Sequence, residues 1–196
     1  MLSMFCIEKI DVEYIKARIK EALSEKRYNH SLGVAEEAVK LAKHYNADAD
    51  KAYIAGLLHD CAKEIPPAEI VAKLDERHIT ISEVARNAPK TLHGALGAII
   101  AKEEFGIDDE EIQDAIFFHT TGKADMSLLT KIIYIADYIE PNRSFDGVEE
   151  LRAAAYKDID RAIVLGIDHT MLDLIERGLT IEQNTISARN YILLNS

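Results

Sequence analysis

Apolar residues recur along this 196-residue chain at helical intervals, and no stretch shows the sustained alternation of a half-buried strand. Ile15, Ile19, Ala22 and Leu23 make a stripe on a first helix that Asp11 is suited to cap. The pattern repeats over 30–45 through Val34, Ala38, Leu41 and Ala42, so a second helix is expected to begin at or just after His30. Asp48 or Asp50 opens a third, AYIAGLLHDCAKE, expected to run until Pro66-Pro67 stops it. Pro67 begins a short helix ending around Leu74, and the less regular 76–90 holds one more short helix. Pro89 lies near the first turn of a longer helix over 93–105, which Gly106 closes. Gly94 and Gly97 weaken helix propensity there but let a neighbouring backbone come close. DDEEIQDAIFFHT starts another helix, with carboxylates at its favourable N-terminal end. Further helices are expected over 127–139, 148–156, 158–176 and 182–194. The sum is an all-α helical bundle with no Rossmann glycine signature, P-loop or internal repeat.

Composition adds limits. Hydrophobic residues make up 48% and charged residues 29%, an ordinary globular balance for one substantial core. A net charge of -11, from 34 acidic and 23 basic side chains, argues against binding a nucleic acid polymer. A small anionic ligand remains compatible, because bound cations can dominate a local potential. Cys6 and Cys61 make neither a disulfide framework nor a CxxC pair. No stretch approaches the roughly 18 uninterrupted apolar residues of a membrane span, and the opening segment meets acidic residues at once. A cytoplasmic protein without a membrane partner is the expectation.

Against this helical background, six potential metal ligands stand out: His30, the adjacent pair His59-Asp60, His93, His119 and Asp137. Imidazole and carboxylate suit hard to borderline divalent ions, and six donors exceed what one tetrahedral ion needs. His119 continues the stripe of Ile112, Ala115 and Ile116, and His93 shares a face with Leu96 and Ile100. Asp137 follows Ile133 in a very apolar segment, where a lone buried carboxylate would be costly and coordination would remove the cost. His59 and Asp60 are about 100° apart on a helix, so both reach one centre only near an edge or a terminus. Each residue alone also fits packing, capping or an ion pair; the combination points to a dinuclear hydrolytic centre. His44, His78 and His169 stay outside the set, and Cys61 reads as core filler beside it.

The ordered pieces RYNHS, LLHDCAKE, TLHG, FFHTTG and IADYIEPNR resemble the YqeK family of HD-domain symmetrical bis(5'-nucleosyl)-tetraphosphatases. The resemblance implies one HD-type domain over 1–196, with its core at approximately 14–179. It implies a first metal held by His30, His59, Asp60 and Asp137, and a second joined by His93 and His119, with Asp60 bridging. It points to two divalent or mixed-valence ions, iron first, with manganese or another transition metal as alternatives. It further implies hydrolysis of diadenosine tetraphosphate and related dinucleoside polyphosphates to two nucleoside diphosphates by metal-activated water, and a homodimer.

Lys63 and Arg143 are the phosphate contacts expected to act in catalysis beside Asp60, against the plainer readings of a surface ammonium and of an ion pair with Asp146 or Glu149. Arg27, Thr120, Thr121 and Gly122 are further substrate-binding candidates, while Arg27 alternatively pairs with a carboxylate or braces His30. The segments GKADMS and EPNRSFDG are expected at the mouth, and Tyr45, Tyr134 and Tyr138 are candidates to stack on a base or simply to pack. An HD-type 5'-nucleotidase is the competing enzyme; a nucleotide-binding sensor is the competing non-enzyme.

Overall fold

The computed structural model describes residues 10–195, so Cys6 lies outside the described residues. Among these, every regular element is helical: α1 Val12–Ala22, α2 Glu25–His44, α3 Ala49–Leu58, α4 Pro67–Glu76, α5 Glu83–Asn87, α6 His93–Phe105, α7 Glu110–Phe118, α8 Leu128–Ile139, α9 Val148–Ala155, α10 Ile159–Glu176 and α11 Gln183–Asn195. A single 3₁₀ turn, Pro89–Thr91, precedes α6. None of the described helices is long and apolar enough to cross a membrane.

Local chemistry starts most of these helices. The side chains of Asp11, Ser24, Asp48, Asp109, Ser127 and Asp158 each accept a hydrogen bond from a first-turn backbone N–H. Such caps contribute about 1 kcal/mol apiece. Two boundaries differ from expectation, and both matter for the site. The second helix begins at Glu25, more than a turn before His30, because Ser24 caps it while donating its own N–H and hydroxyl to Glu64, both at 2.6 Å. His30 therefore projects from inside a helix. The third helix stops at Leu58 instead of continuing toward Pro66, and 59–64 fold as tight turns, with Lys63 N–H donating to Asp60 O at 2.9 Å. His59 keeps right-handed helical dihedrals at this terminus, where both members of the pair face the same cluster.

Helices α2, α3, α7 and α8 pack on one another, α6 lies along α7, and α9 and α10 cover α8. The main core runs through Val34, Leu41, Leu57, Leu58, Ile116, Ile132, Ile133 and Ile163. A smaller cluster under α4, α5 and the start of α6 holds Ile70, Leu74, Leu92 and Leu96. Two helix crossings are closer than any side chain permits. A Cβ at Gly56 would sit 2.6 Å from Ala35 Cα, and one at Gly94 would sit 2.5 Å from Phe117 O. The Gly94 approach, anticipated from sequence, sets α6 against α7 just where His93 and His119 leave them.

Gly94→Ala should therefore destabilise the protein by about 1–3 kcal/mol, the usual cost of overpacking, and lower the occupancy of any metal shared by His93 and His119. Thermal unfolding with metal analysis checks this; an unchanged Tm would show that α6 and α7 do not need the contact.

Candidate metal centre

Five of the six expected donors are buried: His30 is 8% exposed, His59 0%, and Asp60, His93 and His119 1% each. Asp137 keeps a partly open edge. Asp60 lies at the focus. Its Oδ2 is 3.4 Å from His59 Nε2 and 3.7 Å from His30 Nε2, while its Oδ1 is 3.0 Å from His93 Nε2 and 3.5 Å from His119 Nε2. Asp137 Oδ1 approaches His30 Nε2 at 3.0 Å and His59 Nε2 at 4.0 Å. The donors form three overlapping groups able to hold an ion, His30–His59–Asp60, Asp60–His93–His119 and His59–His119–Asp137, with donor atoms in each within 4.8 Å of one another. Asp60 belongs to the first two of these groups.

The hydrogen-bond network explains why these nitrogens point inward. His59 Nδ1 faces Gly56 O, His93 Nδ1 faces Lys90 O and His119 Nδ1 faces Ile116 O, each at 2.7 Å and each three residues back along the chain. His30 Nδ1 faces Glu140 Oε1 at 3.1 Å. With Nδ1 assigned as the donor in all four, Nε2 carries the lone pair. Those lone pairs then meet: His93 and His119 Nε2 are 2.9 Å apart, and His59 and His30 Nε2 are 3.3 Å apart. Two acceptors at that distance gain nothing from each other. A proton or a cation must lie between them. Asp60 Oδ1, buried and without a properly directed donor, makes the same demand. The donor set thus fits divalent cations.

Charge in the site follows the same logic. Burial opposes ionisation of Asp60, but the surrounding imidazoles, His59 foremost, hold its pKa well below the usual carboxylate range. Asp137 is likewise pushed down, its burial outweighed by His30, His59 and Arg143. Burial drives His93 to about 4, so it stays neutral and ready to ligate at physiological pH.

The other expected residues divide into two sets. Arg27 donates to Asp60 Oδ2 at 2.7 Å, and Lys63 Nζ lies 3.6 Å from Asp60 Oδ1 and 3.2 Å from His93 Nε2. Arg143 pairs with Asp137 through its guanidinium and donates Nε–H to Asp137 O at 2.7 Å; Glu149, a competitor expected for it, is taken by Arg152. Thr120 Oγ1 stands 3.0 Å from His119 Nε2 and 3.3 Å from His93 Nε2. Thr121, by contrast, donates to Gly122 O at 3.0 Å and lines a separate cavity with residues from the α4–α6 region, while Gly122 backs onto Ala188 and Met126. GKADMS likewise leaves the mouth, with Lys123 drawn to Asp114 and over the Phe118 ring. EPNRSFDG stays there.

Sequence reasoning missed two contributors. Glu140, 2% exposed, fixes His30 and is itself fixed by Asn142 N–H at 2.7 Å. His169 from α10 joins Tyr138, Phe145, Arg143 and Thr120 around a 290 Å³ recess that opens on His119 and Asp137. Of the three tyrosines, Tyr138 alone reaches this recess; Tyr134 is fully buried and Tyr45 donates to Ala155 O.

Glu140→Gln should weaken metal binding about tenfold by loosening His30, as losses of such orienting carboxylates do. Metal titration of the purified variant tests this, and wild-type affinity would remove Glu140 from the site. In metal-free protein, stability contributed by neutral His93 is complete above its unfolded value of 6.5 and lost as pH falls to about 4. Denaturant midpoints measured across that window should fall in wild type and flatten in His93→Gln; parallel curves would contradict the assignment.

The HD domain family matches residues 27–142 of this chain. The symmetrical bis(5'-nucleosyl)-tetraphosphatase of Halalkalibacterium halodurans is 42% identical over 176 residues, covering 90% of this chain and 94% of that protein. The protein of the same name from Bacillus subtilis is 38% identical over 180 residues, covering 92% and 96%. A Clostridium acetobutylicum crystal structure, described as a "predicted HD superfamily hydrolase involved in NAD metabolism", matches with a TM-score of 0.93 and 47% identity, covering 94% of this chain and 97% of that one. With a helical bundle that draws four histidines and two aspartates to one focus, the chain belongs to the HD-domain family and, within it, to the symmetrical bis(5'-nucleosyl)-tetraphosphatase family.

Proposed function

We propose that this protein is a metal-dependent hydrolase that splits dinucleoside tetraphosphates, diadenosine tetraphosphate among them, into two nucleoside diphosphates. The observation that carries the reading is the position of Asp60, each of whose oxygens faces a different pair of imidazoles. Asp60 would hold metal together with His30, His59 and Asp137 through one oxygen's side of the cluster and with His93 and His119 through the other. Metal bound there would supply polarisation of phosphate oxygens and activation of a water.

The chain's own side chains complete the electrostatics. Asp60, Asp137 and Glu140 are matched around the cluster by Arg27, Lys63 and Arg143. Divalent metal added to that balanced set would leave a positive pocket, suited to a ligand with one negative charge per phosphate. Arg143 keeps part of its guanidinium open to the recess, where its planar donors can take two phosphate oxygens together. Lys63 is close enough to exchange its contact with Asp60 for a phosphate oxygen. Arg27 can make the same exchange. The Thr120 hydroxyl beside His93 and His119 can orient a water or a phosphate oxygen. The reading extends to iron as the native metal and to a homodimer, both of which rest on the family resemblance.

Metal-reconstituted protein should convert diadenosine tetraphosphate to adenosine diphosphate alone, as followed by chromatography of the products. Asp60→Asn should lose bound metal and at least about 10²-fold in kcat/KM, roughly 3 kcal/mol of transition-state stabilisation, while circular dichroism keeps the helical signal. Release of inorganic phosphate from nucleoside monophosphates, with the tetraphosphate left intact, would instead identify a nucleotidase.

A further inference from the structure

A second recess borders the cluster on the other side of Arg143. It encloses about 590 Å³ and runs along the first turns of α2, past His30, to the turn after α8. Ligand pockets commonly enclose about 300–1,000 Å³. Arg143 and Phe145 line both recesses, so the turn that carries them divides one cavity from the other. The two cavities present different side chains. Around the first stand Tyr138, Phe145 and His169, whose rings suit a flat heterocycle. The second is a trough with Lys26, Asn29 and Ser144 on its rim and Phe145 against its wall.

Three features mark the trough as a place for a ligand. In a chain of net charge -11, it gathers Lys26, Arg27 and Arg143, while its carboxylate Glu140 is buried and engaged by His30 and Asn142. Among the described residues, Lys26 has no ion-pair partner, and the side chains of Lys26, Asn29 and Ser144 make no hydrogen bond. The trough also reaches His30, just as the first recess reaches His119, so both cavities end on donors of the same cluster.

A dinucleoside tetraphosphate cut at its central bond needs room for a nucleoside diphosphate on each side of the cut. We propose that the Lys26–Asn29–Ser144 trough holds the second nucleoside diphosphate half, the first occupying the recess beside Tyr138 and His169. This assignment rests on the tetraphosphatase reading above. The Arg143–Phe145 turn then separates two unlike sites for two like halves. One grips its base between rings; the other holds sugar and phosphate through an ammonium, an amide and a hydroxyl.

The test uses metal-loaded enzyme and two probes, diadenosine tetraphosphate and adenosine tetraphosphate, the latter able to place its single nucleoside in the first recess. Asn29→Trp fills the trough from an exposed helical position. It should lower kcat/KM for the dinucleoside about tenfold or more, mainly through KM, and for the mononucleoside less than about threefold, with metal content unchanged. Lys26→Glu, also on the surface, should raise KM for the dinucleoside and serves if the tryptophan variant does not fold. Equal losses on both probes in Asn29→Trp, or wild-type kinetics in both variants, overturn the trough assignment alone. Wild-type enzyme that forms no adenosine diphosphate from diadenosine tetraphosphate overturns the tetraphosphatase reading and this assignment with it.

Discussion

A carboxylate closed in by imidazole nitrogens is tolerable only if something positive sits among them, and that requirement organises the molecule. Asp60 is almost wholly withdrawn from water, and each of its oxygens faces a pair of Nε2 atoms that approach one another. An uncompensated ion in such a place costs several kcal/mol. Arg27 and Lys63 supply part of the compensation from the rim, and divalent cations would supply the rest from within. The helices are placed to make this arrangement unavoidable. His30 comes from the second turn of α2, the His59-Asp60 pair from the turn that ends α3, His93 from the start of α6, His119 from just past α7, and Asp137 from the last turn of α8. Moving any one helix by a side chain's width would break the focus.

That precision comes from backbone contacts as much as from the apolar core. Gly56 lets α3 lie directly on α2, and Gly94 brings α6 onto the last carbonyls of α7. Close-packed interiors transmit displacements with little loss, so these crossings are part of the site although neither glycine touches a donor with a side chain. The position of His59 and Asp60 at the end of α3 plays the corresponding local role, because at a terminus two residues about 100° apart can both reach one target.

Much of this was legible in the sequence, for physical reasons that also explain the rest. The helices were readable because burial imposes a period of 3.6 on apolar positions, and the stripe that carries His119 is one instance. The six donors were readable as a set through family resemblance, with Asp137 conspicuous in its apolar helix. The start of α2 lies ahead of its apolar stripe because Ser24 is stabilised by Glu64, forty residues away, which no local pattern encodes. Glu140 went unread because a carboxylate before Pro141 looks like an ordinary helix end; only the packing of α8 against α2 turns it toward His30. Thr120 and Thr121 are adjacent in sequence, yet the turn after α7 sends the two hydroxyls to different cavities. His169 looked like any polar residue on a long helix until α10 was laid across α8.

The anchoring of the four imidazoles is not uniform, and the asymmetry has a consequence for how the centre comes apart. His59, His93 and His119 are each steadied by a carbonyl in their own turn, so their aim survives as long as that turn does. His30 alone borrows its restraint from a distant helix, through Glu140. Any breathing that parts α8 from α2 would set this ring swivelling while the other three still hold station. The centre would thus fail in sequence: the side served by His30 is the loose door, and the side served by His93 and His119 the hinge that stays fixed.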